Sequence, residues 1–210
     1  MLDFFKKLEN ILSEELPSGL DNHMSPSFRS KPKKEWINAQ NPRIASVMIL
    51  LYPKDQQIHI AFTKRHDYQG VHGNQISLPG GKREDADTDL LATALRETRE
   101  EIGVQPDKII GNLSEIYIPP SNFIVQPYVG YSLTQPQFII EKHEVASLLE
   151  IPLLSFIDPI NQQTVEINVR GREMSVPAYI WKDEIIWGAT AMILAEFIAY
   201  VKNVYKPFNN

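Results

Sequence analysis

Cysteine is absent from this chain of 210 residues, and its absence excludes several kinds of site at once. Disulfide scaffolds, zinc–thiolate sites, iron–sulfur clusters and thiol nucleophiles all need the cysteine sulfur. Long apolar runs are missing too, because none approaches the roughly 18 residues of a membrane span. Charged residues interrupt residues 1–15, which therefore lack the apolar centre of a secretory signal. We expect a cytoplasmic protein without a membrane partner.

Basic residues are too few for a general nucleic-acid binder. The chain has 21 Lys and Arg against 26 Asp and Glu, which gives a net charge of −5. Such a balance lacks the basic field that displaces counterions from nucleic-acid phosphates, so no nucleic-acid partner is expected. A phosphate-bearing small molecule can still bind where local cations or metal ions supply positive charge.

The chain does contain enough apolar residues for one sizeable domain. Hydrophobic residues make up 43% of the chain and aromatic residues 10%, which excludes bulk disorder. Its length suits one domain with an added arm. Residues 1–42 read as an amphipathic helix over 2–16 followed by a Pro/Ser-rich arm, and residues 43–206 read as the compact domain.

Strands and helices follow one another in this domain without regular alternation. Residues 44–52 form a nearly continuous apolar run typical of a buried strand, and residues 58–63 read as its hairpin partner. Further strands are predicted at 113–118, 123–132, 163–169 and 174–180, and helices at 89–102, 143–149 and 187–205. This mixture predicts a mixed sheet with helices packed on it.

Three carboxylates form the chemically informative cluster. Glu97, Glu100 and Glu101 stand at i, i+3 and i+4, so on a helix they share one face and repel one another. A hard divalent cation would offset this repulsion, since Mg²⁺ prefers oxygen ligands and is usually completed by substrate phosphates. Arg96 could orient one carboxylate through a bidentate pair. Taken alone, the same spacing also occurs on solvated helices with Glu/Arg pairs.

The glycine turn before this helix favours a site over a solvated surface. Residues 78–81 read Leu-Pro-Gly-Gly, a sharp turn where the backbone can approach a ligand or metal closely. Gly103 follows the helix in a C-cap position. Because the apolar stripe of the helix faces the core, the acidic face points toward a groove lined by the glycine turn.

Residues 96–104, RETREEIGV, resemble the second half of the Nudix box. That box, G-x5-E-x7-R-E-U-x-E-E-x-G-U with U apolar, is the signature of hydrolases of nucleoside diphosphates linked to another moiety. Thr98 stands where an apolar residue is usual. Gly81 lies one position farther from Arg96 than in the usual box, and Asp87 stands in the slot of the first glutamate.

A preceding segment is similar to the coenzyme A pyrophosphatase branch of that family. The branch has the same one-residue extension and an Arg, His, Gln and Pro-Gly-Gly series. The corresponding residues here are Arg65, His72, Gln75 and Pro79–Gly81. The chain departs from the branch at His66, Asn74 and Leu78.

The resemblance implies a Nudix-type α/β/α sandwich with a mixed β-sheet, here with an added N-terminal helix and arm. It implies hydrolysis of the pyrophosphate bond of coenzyme A or an acyl derivative, with Mg²⁺ or Mn²⁺ as cofactor. The products would be 4′-phosphopantetheine, or its acyl form, and adenosine 3′,5′-bisphosphate. The partner would be a small nucleotide of the coenzyme A type, and a homodimer is compatible with the resemblance.

The resemblance also assigns roles to individual residues. The metal-binding residues would be Glu97, Glu100, Glu101 and Gly81. The catalytic residues would be the same three glutamates with Arg96 and Glu144. The substrate-binding residues would be Arg65, His72, Gln75, Gly80, Gly81 and Arg83. The general base is left open between Glu97 and Glu144.

Two alternatives remain beside this reading. The same chemistry could act on another nucleoside diphosphate derivative such as ADP-ribose. The chain could instead be a non-catalytic Nudix-fold module that binds nucleotides. Such modules usually lose glutamates of the box, and all three helix glutamates are present here.

Overall fold

The computed structural model describes residues 1–13, 24–25, 32–66, 75–169 and 171–205. The helices in these ranges are Leu2–Leu12 (α1), Lys34–Ala39 (α2), Leu90–Ile102 (α3) and Gly188–Tyr205 (α4). The strands of the main sheet are Arg43–Lys54 (β1), Gln57–Arg65 (β2), Ile76–Ser77 (β3), Gly80–Lys82 (β4), Lys108–Asn112 (β5), Ile116–Ile118 (β6), Phe123–Tyr131 (β7) and Val145–Pro152 (β8). A second sheet contains Gln162–Val169 (β9), Arg172–Trp181 (β10) and Glu184–Trp187 (β11).

Strand β1 is the centre of the main sheet. It runs parallel to β7 on one side and antiparallel to β2 and β4 on the other. β2 also pairs with β3 and β8, and β7 also pairs with β5 and β6. The main sheet is therefore mixed, as the sequence predicted, and the three-stranded sheet in the order β11-β10-β9 stands apart from it.

The apolar run of β1 is continuous because both faces of the sheet are covered. Met48, Leu50 and Tyr52 pack with residues of α3 on one face. Ile49 and Leu51 pack on the other face, in the cluster that includes most of α4 and the buried side of α1. Alternating side chains of a strand point to opposite faces, so neither set can be polar. Helices on both faces of a mixed sheet make the predicted α/β/α architecture.

The N-terminal helix packs against the domain. The ring of Phe5 stacks on Tyr131 with centroids 4.2 Å apart, and Leu8 is fully buried. Glu9 forms an ion pair with Lys108 on β5. The helix predicted over residues 2–16 is observed as α1, while residues 14–23 lie outside the described ranges. The division of the chain at residue 42 stays a prediction.

Several predicted elements differ from the observed ones. The helix predicted over 143–149 is wrong, because this segment enters β8 and pairs with β2, and burial against that strand outweighs its helical pattern. Residues 113–118 are not one strand, since β5 ends at Asn112 and β6 begins at Ile116. Trp187 ends β11 instead of starting the last helix, and α2 and β11 were not predicted. Within the described ranges, every helix is too short or too polar to cross a membrane.

Candidate active site

Helix α3 begins and ends as its sequence predicts. The side chain of Asp89 accepts a hydrogen bond from the backbone N–H of Ala92 over 2.7 Å and caps the first turn. Gly103 ends the helix in the left-handed conformation, with φ of 73°. A side chain at that position would also collide with Ile139. These two ends fix the helix that carries the acidic cluster.

Arg96 is the centre of the cluster. Its Nε and Nη2 donate to the two carboxylate oxygens of Asp87 over 2.9 and 3.0 Å. Its Nη1 donates to Glu97 over 3.0 Å and to Glu100 over 2.9 Å, and Nη2 also donates to the Lys82 carbonyl over 3.1 Å. The hydrogen bonds to Asp87, foremost, raise the pKa of Arg96 above its ordinary value. One guanidinium thus connects the loop before α3 to two of the three glutamates.

Asp87 completes this arrangement from the lengthened loop. Its side chain is buried and accepts hydrogen bonds from the Thr93 hydroxyl and the Glu84 backbone N–H, both at 2.9 Å. The bond from Arg96 holds the pKa of Asp87 well below its usual range, and those two donors act in the same direction. From the lengthened loop the Asp87 side chain still reaches Arg96. In the sequence, the only sign of this role was that Asp87 stands where the Nudix box has its first glutamate.

Glu101 is the most buried acid of the three, with 3% of its surface exposed. Its Oε2 accepts the backbone N–H of Gly80 over 3.1 Å, which ties the helix to the glycine turn. Burial raises the pKa of Glu101 to about 7, and repulsion from Glu97 and Glu144 adds to this. The Gly80 N–H and the charge of Arg65 act in the opposite direction. Arg65 and Glu144 are therefore close enough to act electrostatically on this carboxylate.

Gly81 and Glu97 are in close contact. A Cβ atom at Gly81 would overlap the carboxyl group of Glu97, so a larger residue at this position would displace that carboxyl group. Burial raises the pKa of Glu97, Arg96 opposes the rise, and Glu100 and Glu144 reinforce it. The glycine turn thus lets strand β4 pass directly beside the acidic face of α3.

The second wall of the site comes from the ends of β2 and β8. Arg65, the last residue of β2, pairs with Val145, the first residue of β8. Glu144 lies one residue before that pair, in an exposed turn. The backbone N–H of Glu141 donates to the carbonyl of Glu101 over 3.0 Å, which anchors the turn to the end of α3. Sheet pairing, not the predicted helix, therefore brings Glu144 to the cluster.

The remaining predicted substrate residues differ in their surroundings. Arg83 is exposed, and its Nη2 donates to the Asp87 carbonyl over 3.3 Å. Gln75 accepts the Arg65 backbone N–H through its carbonyl over 3.1 Å. His72 lies outside the described residues. Lys64, the neighbour of Arg65 on β2, forms an ion pair with Glu184 at 2.7 Å.

The chemistry of the acidic cluster fits a hard divalent cation. Its possible ligands are carboxylate oxygens, which such a cation prefers. Because Gly81 has no side chain, the backbone of β4 lies directly beside the carboxyl group of Glu97. Within the described ranges, no three acidic or histidine side chains already converge as a metal cage. Arg96 binds one oxygen of each neighbouring carboxylate, Oε1 of Glu97 and Oε2 of Glu100, so a cation would be held through the second oxygen of each.

Comparisons with known proteins agree with this fold and cluster. A family model described as the NUDIX domain matches residues 42–155. The chain is 31% identical over 183 residues to an uncharacterized Nudix hydrolase NudL of Enterobacter sp. (strain 638), covering 84% of this chain and 92% of that protein. It is 32% identical over 184 residues to Nudix hydrolase 22, chloroplastic, of Arabidopsis thaliana, covering 84% of this chain and 57% of that protein.

Solved structures show the same fold. A MutT/nudix family protein from Enterococcus faecalis superposes with a TM-score of 0.54 at 17% identity, over 90% of this chain and 76% of that one. The Nudix hydrolase RenU of M. smegmatis gives 0.51 at 12% identity, over 80% and 91%. The chain belongs to the Nudix family. It is a hydrolase of the pyrophosphatase type, and Nudix hydrolases generally use divalent metals such as Mg²⁺ or Mn²⁺.

Proposed function

We propose that this enzyme hydrolyses the pyrophosphate bond of coenzyme A or an acyl-coenzyme A. The products are then 4′-phosphopantetheine, or its acyl form, and adenosine 3′,5′-bisphosphate. The similarity of Arg65, Gln75 and Pro79–Gly81 to the coenzyme A branch supports this substrate. The residue His72 belongs to the same series and keeps its predicted role in substrate binding.

The observation that carries the proposal is the double hydrogen bond from Arg96 to Asp87. The one-residue extension with Asp in the acidic slot is the feature of the box that resembles the coenzyme A branch. Because Asp87 holds Arg96 from the extended loop, the extension leaves the acidic cluster assembled. This geometry supports a functional box of the coenzyme A type.

Each group of residues has a distinct task in the proposed reaction. Glu97, Glu100 and Glu101 hold the divalent cations, with the Gly81 backbone beside them. Bound Mg²⁺ or Mn²⁺ supplies charge neutralisation of the phosphates and a lowered pKa of water. Arg65 and Arg83 bind phosphate oxygens through their guanidinium groups, and Gly80 keeps Glu101 in position. A water oxygen attacks one phosphorus, and the phosphate on the other side of the bridging oxygen leaves.

We assign the general base to Glu144 in preference to Glu97. Arg96 already binds Oε1 of Glu97, and the same carboxylate belongs to the proposed cation site, so Glu97 is engaged in both contacts. Glu144 is exposed, and within the described residues no hydrogen bond to its carboxylate is observed. Its charge acts on both Glu97 and Glu101, so it borders the cluster. From this position it accepts the proton of the attacking water.

A direct assay tests the substrate. The full chain is incubated with coenzyme A, acetyl-coenzyme A or ADP-ribose in the presence of Mg²⁺ or Mn²⁺, and products are separated by chromatography. We expect adenosine 3′,5′-bisphosphate from both coenzyme A substrates at a higher kcat/KM than AMP from ADP-ribose. Turnover of ADP-ribose without turnover of either coenzyme A substrate would show that the substrate assignment is wrong. Absence of turnover on all three would favour a non-catalytic module.

A further inference from the structure

The catalytic face of the sheet continues past the glycine turn as an apolar floor. Even-numbered residues of β1 face α3, and parallel pairing places Ile44 beside Ile124 on that face. Tyr117 of β6 pairs with Ile124 and extends the same row. At the other end of the row, the Arg83 backbone N–H donates to the Ile44 carbonyl over 3.0 Å. Both isoleucines are partly exposed, so this floor is accessible to a ligand.

Trp36 stands at the far end of this floor. Its ring meets the Tyr117 ring edge-on with centroids 6.2 Å apart, and 50% of Trp36 remains exposed. Together with Pro32, Lys33 and Pro119 it lines an open cavity of about 490 Å³, called here the Trp36 groove. A large aromatic ring left exposed in a groove that two prolines also line offers a surface on which a flat ring can stack.

The helix that carries Trp36 is attached to the sheet by hydrogen bonds. Asn122 donates from Nδ2 to the carbonyl of Gln40, just after α2, over 3.0 Å. The Tyr117 hydroxyl donates to Asn122 Oδ1, also over 3.0 Å. The indole is thus presented in a defined position relative to the row that starts at the active site.

The distance from the glycine turn to the Tyr117 end of the floor suits an adenosine nucleotide. β4 pairs with β1, β1 with β7, and β7 with β6. Neighbouring strands lie about 4.8 Å apart, so about 14 Å separates the strand of Gly81 from that of Tyr117. An extended adenosine 5′-diphosphate with its pyrophosphate at Gly81 therefore brings its base to Tyr117, beside the Trp36 ring, whose centroid lies 6.2 Å from that of Tyr117.

We propose that the Trp36 groove binds the adenine of the substrate by stacking on the indole of Trp36. The proposal rests on the proposed function, since it places the pyrophosphate beside Gly81 and Glu97. Lys33 supplies a positive charge at the groove, which complements a phosphate on the ribose such as the 3′-phosphate of coenzyme A. Continuity of the floor with the catalytic face favours a nucleotide over a proline-rich peptide, for which an aromatic and proline-lined groove is also suited.

Tryptophan fluorescence tests the stacking without any turnover. The full chain is titrated with adenosine 3′,5′-bisphosphate in the absence of metal ions, and affinity is measured in parallel by calorimetry. We expect quenching in the wild type and in Trp181→Phe, the matched control among the three tryptophans. Trp36→Ala should lose the quenching and about tenfold in affinity, and Trp36→Phe should lose less because it keeps a ring. Thermal unfolding checks that each variant is folded.

Two further ligands sharpen the assignment. 4′-Phosphopantetheine has no base, so its affinity should be the same for the wild type and Trp36→Ala. Lys33→Met should bind adenosine 3′,5′-bisphosphate more weakly while its affinity for AMP changes little. An equal loss of affinity for adenosine 3′,5′-bisphosphate and AMP would show that Lys33 does not act on the 3′-phosphate.

The possible failures are distinguishable. Wild-type affinity for adenosine 3′,5′-bisphosphate in folded Trp36→Ala would overturn the groove proposal, even if coenzyme A is hydrolysed. A proline-rich peptide that quenches Trp36 and is not displaced by the nucleotide would also overturn it. If ADP-ribose is the substrate and Trp36→Ala raises its KM about tenfold, the groove assignment stands and the coenzyme A assignment fails.

Discussion

The acidic face of α3 and the paired ends of β2 and β8 border the same site, but their charged side chains are held in different ways. On α3, Arg96 binds three carboxylates, and Gly80 binds a fourth through its backbone. On the strand side, Arg65 and Glu144 are placed by backbone pairing, and both remain partly or fully exposed. The acidic face of α3, called here the helix wall, is therefore preorganised. The paired ends of β2 and β8, called here the strand wall, carry side chains that can move to meet a substrate or accept a proton.

The largest effect is expected from Glu101, the buried member of the helix wall. Glu101→Gln removes one carboxylate charge from the proposed cation site, and we expect kcat to fall about 1,000-fold. Stability should not fall, because burial of this carboxylate disfavours its charged form. The exposed Glu173→Gln serves as control and should keep wild-type kcat. Normal turnover of a folded Glu101→Gln protein would mean that the cation site is assigned to the wrong residues.

The next largest effect is expected on the strand wall. Glu144→Gln removes the proposed base, and kcat should fall about 100-fold with little change in KM. The loss should shrink as the pH rises, because hydroxide then replaces the missing base. Glu141→Gln, in the same turn, is the matched control. A fall in both variants alike would point to the turn itself and not to proton transfer.

Asp87 tests the preorganisation of the helix wall through stability. Asp87→Asn should lower the free energy of unfolding at pH 7 by about 2 kcal/mol, because a hydrogen-bonded charge pair is lost. The folded-state pKa of Asp87 is depressed, so its contribution is present above the unfolded pKa of about 3.9 and is lost as the pH falls further.

Urea unfolding at several pH values measures this contribution. The gap between the wild type and Asp87→Asn should be constant from pH 7 to about pH 5 and should narrow below about pH 4. Asp85→Asn changes an exposed carboxylate in the same loop and should show no such gap. A gap that widens on acidification would contradict the assigned pairing with Arg96.

The smallest effect is expected from Lys64, the neighbour of Arg65 on β2. Lys64 forms its ion pair with Glu184 of β11, so Lys64→Met should change KM less than about twofold and stability by less than about 1 kcal/mol. Arg65→Met should instead raise KM about tenfold, because it would remove the proposed contact of Arg65 with a substrate phosphate. Comparable rises in KM for Lys64→Met and Arg65→Met would show that both side chains contribute to substrate binding, despite the ion pair of Lys64 with Glu184.

The helix wall was largely predictable because its signals are local. The cap at Asp89, the carboxylate spacing from Glu97 to Glu101 and the stop at Gly103 all lie within one segment of chain. For the strand wall, the sequence predicted Arg65 and Glu144 as site residues but not the strand β8 that positions Glu144. Residues 143–149 have a helical pattern, yet the segment forms a strand because pairing with β2 offers burial that an isolated helix cannot. The groove at Trp36 was missed altogether, since α2 lies in a segment read as a proline-rich arm.

The order of residues alone determined which groups this enzyme can use, because a turn, a helix and a carboxylate spacing depend on neighbours within a few positions. Folding decided which of these groups meet. Asp87 reaches Arg96 across the loop, Glu144 comes to the cluster through strand pairing, and Lys64 is drawn to Glu184 on another sheet. Such meetings depend on register and burial between segments distant in the chain, which short-range propensities do not encode.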